Sequence, residues 1–512
     1  MRAVVVGSGP AGVACAHALV TRGVEVVLVD GGLTLEADRR ATVAQLRATP
    51  QAQWPADVLA RIKEGMEPTA GGVAVKHQFG SDFPYRGVAE HLGFTAENAL
   101  LQPSLATGGF IPVWGAAVMP YAADEFDGWP INREDLAAHY RAVLDFMPLA
   151  GVEDDLAGEF PLYSDRAATL PLSPQAARLQ PRLAAARARL RAAGITAGRA
   201  RLAVRGDCVQ CGLCLYGCPY GCIYDTTVTI GELRSTGGLV HEAGIVVDAV
   251  EESESGVRLR GHHTQTGEAW SMEADRVFLA AGVVSSARLL LAAQGGGTVR
   301  VLDSAYFLFP LLSTFSTPEV RHAPAHTLSQ FYLELLDRAV SSRRVQVQLY
   351  TYSDLLTEAL RHTLGPLAMD WLLRWIERHA FIAQAYLHSD ESHTMELSVK
   401  DGRAHLVGRE NPHTREVVGR VLRRLREIAP AIGLWPVPGT VKIMPPGRSF
   451  HCGGTWPMRA EPRAGESDVL GRPHGWSRVH VVDASVLPAI PATTITFSVM
   501  ANAHRIGTLA PL

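Results

Sequence analysis

Cys208, Cys211, Cys214, Cys218 and Cys222 bring five of the chain's seven cysteines into one short stretch. The spacing reads C-x2-C-x2-C-x3-C-P, with Cys222 four residues beyond Cys218. Thiolates are soft, charged donors that suit iron, and a run of this spacing closed by Pro219 has the pattern of a ferredoxin-type cluster loop. Gly212, Gly217 and Gly221 give the backbone the freedom to turn the thiols toward one centre. One run fills one cluster, so five cysteines compete for three or four positions. The expectation is a 4Fe-4S cluster on Cys208, Cys211, Cys214 and either Cys218 or Cys222, with a 3Fe-4S cluster as its variant. Zinc held by C-x2-C pairs, and a structural loop of free thiols, are the competing readings.

A second reactive candidate is His451, in the glycine-rich turn Phe450-His451-Cys452-Gly453-Gly454-Thr455. An imidazole is suited to take an alcohol proton at neutral pH, while the carbinol hydride leaves to an acceptor. Its plain alternative is a structural hydrogen bonder. Thr494, at the start of the last helical stretch, offers one hydroxyl to a substrate oxygen.

These groups need a frame, and the two ends of the chain supply it. Val4-Val5-Val6 runs into Gly7-Ser8-Gly9-Pro10-Ala11-Gly12, then a helical pattern from Val13 to Thr21 and a second strand from Val24 to Val29, closed by Asp30. In such a turn Gly7 allows the bend, Gly9 lets a pyrophosphate approach the backbone and Gly12 lets helix and strand pack closely. The free N–H groups of the helix start face the phosphates, and Asp30 is spaced to reach a ribose. Val277 to Gly282 is a buried strand closed by glycine, with Ala281 and Gly282 at its exit. Thr107 to Gly115 is a glycine loop around apolar residues, in which Gly108, Gly109, Trp114 and Gly115 offer backbone to a flat ring. Val479 to Asp483 is a further strand ending in a carboxylate, followed by Ala484. Thr494 to Ile506 reads as a helix whose N-terminus stabilises negative charge beside a cofactor.

The middle of the chain has no second such turn. Val345 to Tyr352 reads as strand, and Leu355 to Leu387 is dense in Leu, Trp and Phe around Gly365-Pro366. Trp371 and Trp375 share a helical face, read first as core, then as a cavity wall or as a partner or membrane-surface patch. Leu179 to Ala193 reads as a charged amphipathic helix. Val399 to Gly408 and Glu410 to Arg415 read as hairpin and turn.

The bulk numbers narrow the class. At 512 residues with 47% apolar and 19% charged content, two or three globular domains are expected. A net charge of −3 without basic tracts argues against nucleic acid as a partner. No apolar run reaches membrane-spanning length. A strand beginning at Ala3 leaves no room for a cleavable leader, so the expectation is a cytoplasmic protein with no transmembrane segment.

Taken in order, Gly7 to Gly12, Gly108-Gly109 with Trp114-Gly115, Ala280-Ala281-Gly282, His451 to Thr455 and Val481 to Ser485 resemble the glucose–methanol–choline oxidoreductases along nearly the whole chain. The resemblance implies FAD and makes His451 the histidine facing flavin and substrate hydroxyl. It implies an α/β fold, a doubly wound FAD-binding Rossmann-like domain with a mixed α+β substrate domain. The FAD domain is expected as residues 1–150, 206–299 and 441–512, including the cysteine loop at 206–225. Residues 151–205 and 300–440 form the substrate cap. Two departures stand out. Ile490 occupies the place before Pro491 where the family carries His or Asn, and Phe110-Ile111 replaces small polar residues in the glycine loop. The cysteine loop resembles that of dehydrogenase members, which pass electrons through a three-iron cluster to a cytochrome.

The leading expectation is therefore an FAD-dependent oxidation of a hydroxyl on a small, hydrophobic organic substrate, with electrons relayed through an iron–sulphur cluster to an external acceptor such as ferredoxin, cytochrome or quinone. The alternatives are a ferredoxin-fed flavin reductase of an unsaturated compound, and an oxygen-using alcohol oxidase with zinc or no metal in the cysteine loop.

Overall fold

The valine-rich strand Arg2–Val6 lies at the centre of a five-stranded sheet in the order Val479–Val481, Arg276–Leu279, Arg2–Val6, Glu25–Asp30, Leu239–Ala243. All four pairings are parallel. Continuous Val and Leu runs suit strands buried on both faces, and these strands are buried almost throughout. The computed structural model describes residues 1–65 and 75–512. The helix Pro10–Thr21 leaves the central strand at once, and Pro at its first position fits a turn that needs no N–H there. It packs on the C-terminal helix Thr496–Leu509, which the helix Arg133–Leu144 covers in turn. A three-stranded antiparallel sheet, Ile245–Glu252, Val257–His263 and Ala269–Ala274, joins the same core.

A second body is built on an antiparallel sheet in the order Leu434–Pro436, Tyr306–Ser313, Ala380–Leu387, Val345–Tyr350, Phe331–Leu335, Ile195–Arg199. Lys442–Ile443 adds a short strand beside Tyr306–Ser313. Side chains alternate across it. Phe307, Phe309, Val347, Leu349, Ala383 and Ala385 face a separate apolar core shared with the helices Pro174–Ala185 and Pro412–Ile432. Tyr306, Leu308, Gln348, Tyr350, Gln384 and Tyr386 face the other way, onto a cavity. The fold is thus α/β, a Rossmann-like parallel-sheet body with a mixed α+β body beside it, as the sequence suggested.

Several local readings are adjusted. The amphipathic segment at 179–193 is two helices, Pro174–Ala185 and Arg187–Ala192. Glu410 to Arg415 is not a turn. Asn411 caps the helix Pro412–Ile432 by accepting the His413 N–H at 3.0 Å. The apolar stretch after Tyr352 forms the helices Asp354–Leu364 and Asp370–His379, and Trp371 and Trp375 are exposed rather than core. Among the described residues, no helix is long and apolar enough to cross a membrane.

Candidate functional site

A cavity of about 980 Å³ lies between the two bodies' facing surfaces. One wall is the glycine turn. A Cβ on Gly12 would sit 1.8 Å from the Gly7 carbonyl oxygen, and one on Gly7 would sit 2.3 Å from that of Ala280, so both positions demand glycine. The second glycine loop approaches the first. The Gly108 N–H donates to Ser8 Oγ at 2.9 Å, and a Cβ on Gly109 would meet Gly9 Cα at 3.8 Å.

Asp30 closes this wall. Its Oδ2 accepts from Ser8 Oγ and lies 3.2 Å from His241 Nε2. Its Oδ1 is buried with no partner, although the residue lines the cavity. A buried carboxylate oxygen without a donor is costly, and a ribose hydroxyl is the donor this position suits. A close-approach backbone turn, a helix start and an orphaned acid together fit a dinucleotide, and FAD with them.

Asp483 has another task. Its oxygens accept from the Gly282 N–H at 3.0 Å, the Ser485 N–H at 2.9 Å and Ser286 Oγ at 2.5 Å. It therefore ties the exits of two neighbouring strands together beneath the cavity, with Ala281, Gly282 and Ala484 on the lining. Trp114 is fixed through Nε1 to the Tyr224 carbonyl at 3.2 Å, and its own carbonyl accepts from Lys76 Nζ at 2.8 Å.

The other wall carries His451 and Thr494. His451 stacks on Tyr386, with ring centroids 4.9 Å apart. Its Nδ1 and the Thr494 hydroxyl are both buried without a protein partner. Burial pushes the imidazole down to about 4, so it is neutral near pH 7 and has a free lone pair. Phe450 directly before it has φ +58°, a conformation costly for a bulky residue, and packs on Phe110 at 4.9 Å. The strained turn is held by Asp303, which is buried. Asp303 accepts from the Gly447 N–H at 3.0 Å, Ser449 Oγ at 3.0 Å and Cys452 Sγ at 3.4 Å.

The structure thus gathers Gly7, Gly9, Asp30, Gly109, Trp114, Gly115, Ala281, Gly282, Asp483, Ala484, His451 and Thr494 around one cavity, with Gly12 and Gly108 directly behind it. The sequence reading missed the sheet face of Tyr306, Gln348, Gln384 and Tyr386, and the Asp303 clamp. The alternation in Val345–Tyr350 was the available signal for the first. Nothing local marked the second.

The five cysteines require a correction. They are free thiols, and among the described residues no group of three or more His, Cys, Asp or Glu side chains is placed to hold a metal ion. The expected 4Fe-4S or 3Fe-4S cluster, and a zinc site in its place, are therefore not supported. Neither is a relay through Cys208, Cys211, Cys214, Cys218 and Cys222. The physical reason is packing. Cys214 and Cys222 are buried in an apolar cluster with Ala150, Leu202, Val204 and Leu328, and Cys208 and Cys218 pack against it. Cys211 packs on the cluster of Phe79, Leu213 and Tyr216 and lines one small apolar void together with the other four cysteines. Burial pushes Cys211 up to about 12 and Cys214 up to about 11, and raises Cys208 as well. In the metal-free protein these groups are neutral thiols. Cys218 alone is lowered, mainly by the neighbouring Cys222 thiol, and the Cys222 N–H donates to it at 3.2 Å. The acceptors expected beyond the cluster, ferredoxin, cytochrome or quinone, lose the observation that suggested them.

Residues 405–503, which include His451, Asp483 and Thr494, match the family model described as GMC oxidoreductase, its C-terminal part. No curated protein matches the chain. Among solved structures, the chain is similar to pyridoxine 4-oxidase from Mesorbium loti, with 16% identity and a TM-score of 0.60 over 99% of this chain and 98% of that one. It is also similar to an R554A variant of formate oxidase from Aspergillus oryzae RIB40, studied for FAD modification, with 12% identity and a TM-score of 0.62 over 99% and 97%. At these identities the likeness establishes the fold.

Proposed function

We propose that the protein is an FAD-dependent alcohol oxidase acting on a largely apolar organic substrate, with dioxygen as the electron acceptor and no metal in the cysteine loop. One observation carries the reading. A neutral imidazole and an unpartnered hydroxyl, His451 and Thr494, line the same cavity as the dinucleotide cradle of Gly7, Gly9 and Asp30. Both similar solved structures are oxidases by name, which supports oxygen as the acceptor. The match of 405–503 to the GMC oxidoreductase model supports the chemistry at His451.

In this reading the body formed by 1–150, 206–299 and 441–512 holds the cofactor, and 151–205 with 300–440 covers the substrate. Gly9 keeps a side chain out of the pyrophosphate's way, Gly7 and Gly12 allow the turn and the close strand–helix packing behind it, and Asp30 Oδ1 accepts from a ribose hydroxyl. Gly108, Gly109, Trp114 and Gly115 border the ring, and Asp483 holds Gly282, with Ala281 beside it, and Ala484 in place. FAD bound there supplies a two-electron acceptor for the carbinol hydride.

The chain's own residues manage the proton. His451 accepts the hydroxyl proton of the substrate, because enclosure keeps it unprotonated at neutral pH. Thr494 Oγ donates to the same substrate oxygen before transfer and fixes the C–H bond's direction. Tyr386 holds the imidazole plane from one side. The overall change converts an alcohol and O₂ into a carbonyl compound and H₂O₂.

Ile490, in the place where the resemblance implies a second His or Asn, is fully buried and apolar. His451 therefore serves as sole base. The experiment mixes flavin-loaded protein with a series of lipophilic primary and secondary alcohols. Anaerobic bleaching of the flavin, and peroxide formed one for one with carbonyl in air, are expected. If no alcohol bleaches the flavin, the proposal fails.

A further inference from the structure

The large hydrophobic side chains that stand out from the described surface are unevenly spread. Four of the twelve, Leu367 (66% exposed), Met369 (47%), Trp371 (60%) and Trp375 (48%), fall within nine residues. They occupy the turn after the helix Asp354–Leu364 and the outer face of the helix Asp370–His379. Trp371 and Trp375 are one helical turn apart and so share a face. The inner face of that helix is pinned by Leu373 and Glu377, both buried, with Glu377 paired to Arg321 at 2.6 Å. The outward indoles are therefore not a consequence of a loose helix.

Charge accompanies the apolar face. Arg374 and Arg378 are exposed on the same helix, and Arg361 and His362 are exposed at the end of the preceding one. Of the four acids of the two helices, Asp354 is held by Lys63 and Glu377 by Arg321, while Asp370 lies 3.9 Å from Arg374 and Glu358 lines the cavity, so three exposed arginines stand against two exposed acids. Indoles, aliphatic side chains and arginines on one face are the composition that settles at a bilayer's headgroup boundary.

The inner side of the first helix explains why such a surface is useful here. Leu355, Leu356 and Ala359 line the cavity. His362 belongs to the same lining and is also exposed, which puts the cavity's mouth at this hairpin.

We propose that the helical hairpin of residues 354–379 docks the protein on an anionic lipid surface and turns the mouth of the cavity toward it. A second copy of the chain is a poorer occupant. A two-fold contact through Trp371 and Trp375 would bring Arg374 and Arg378 toward their own equivalents with only Asp370 in each copy to offset the two arginines, and the remaining like charge opposes that pairing. Anionic headgroups neutralise the same arginines and receive the indoles. Docking itself stands apart from the chemistry; only its use as an entry route for apolar alcohols rests on the proposed oxidation.

The test uses the flavin-loaded full chain with sucrose-loaded vesicles, either phosphatidylcholine alone or phosphatidylcholine mixed with phosphatidylglycerol. Partitioning about tenfold stronger on the anionic vesicles is expected. Trp371→Ala with Trp375→Ala should weaken it about tenfold while flavin content and the thermal transition stay unchanged. Arg374→Glu with Arg378→Glu should abolish the preference for the anionic lipid, and decides alone if the tryptophan variant does not fold. Equal partitioning on both vesicles, or variants that bind as the parent does, overturns the proposal. So does a dimer seen by light scattering that Trp371→Ala with Trp375→Ala converts to monomer without vesicle binding. Failure of the oxidation reading, with no alcohol bleaching the flavin, would leave the sedimentation result where it is.

Discussion

Ser449 Oγ donates to Asp303 Oδ1 at 3.0 Å while accepting the backbone N–H of His451 at 3.0 Å, so a buried acid in one strand sets the position of the imidazole. Asp303 also accepts from Gly447 and Cys452, on either side of the strained Phe450. It does not itself line the cavity and acts through the turn. Asp303→Ala is expected to keep its flavin and its KM but to lose about 100-fold in kcat, because small misplacements of a reacting group cost that much. Ser449→Ala should show a smaller loss of the same kind. An unchanged kcat in Asp303→Ala would mean the turn holds its shape without the clamp.

The pH profile separates the base from its support. Burial holds His451 at about 4, so kcat/KM should stay level through neutral pH and fall only as pH approaches that value. His451→Ala should lower kcat by about 10² to 10⁴ with the flavin retained. Asp303→Ala should keep the parent's profile at a reduced height. Steady-state rates across pH with a slow alcohol check both. A profile that breaks near pH 6.5 would show that the imidazole is solvated in the working enzyme.

Much of one wall was legible because its chemistry is local. Gly7 to Gly12 and Asp30 sit within one strand–turn–helix–strand unit, and close-approach glycines with an acid at the end of the second strand require only that unit. His451 was legible from its glycine turn. The opposite wall was not, because it arises from register between distant strands: Tyr306 opposes Tyr386, and Gln348 opposes Gln384. Alternation tells which residues share a face, not which strand lies alongside. Asp303 reads in sequence as a lone acid at a strand end, and its meaning comes from residues 447–452. The cysteines were misread for a related reason. Their spacing does bring all five around one small apolar void with Val204, Ile223 and Leu328, but a shared void is not a set of donors placed to hold a metal ion.

The cradle makes a sharp prediction about flavin content. A Cβ on Gly12 would overlap the Gly7 carbonyl, so Gly12→Ala should be isolated without flavin or fail to fold. Asp30→Ala is milder. It removes one acceptor, and flavin affinity should fall about 10- to 100-fold, in line with the loss of one buried hydrogen bond to a charged group. Flavin released on heating, measured against protein, checks both. Full flavin in Gly12→Ala would place the dinucleotide elsewhere.

The cysteine loop should behave as packing. Protein purified without oxygen is expected to contain neither iron nor acid-labile sulphide, and a chelator should leave its activity unchanged. All seven thiols should titrate after denaturation. Cys214→Ser places a hydroxyl among Leu202, Val204 and Leu328 and should cost about 1–3 kcal/mol of stability with kcat intact. A stoichiometric iron count would reverse this picture.

Three histidines from three helices contribute to acid sensitivity alongside other buried histidines such as His326, His388 and His480. His139 Nδ1 and His504 Nδ1 are 3.0 Å apart, and the ring of His17 lies 5.7 Å from that of His504. Burial is the main cause that lowers all three, to about 4 for His139 and about 3 for His504, with Arg505 adding repulsion at His139. Asp145 and Glu232 pull His17 the other way. A histidine lowered on folding takes up its proton more readily in the unfolded chain. Stability is therefore full above about 6.5 and is lost as pH falls toward the folded values. Buried acids raised on folding act oppositely, since Asp303 at about 6 and Glu334 at about 7 favour the folded state as pH falls. Within that balance, replacing His139 and His504 together by Gln should flatten the loss of melting temperature between pH 6.5 and 4 relative to the parent. Thermal melts across that range decide it, and an unaltered slope would show that the cluster takes up no protons more weakly than the unfolded chain.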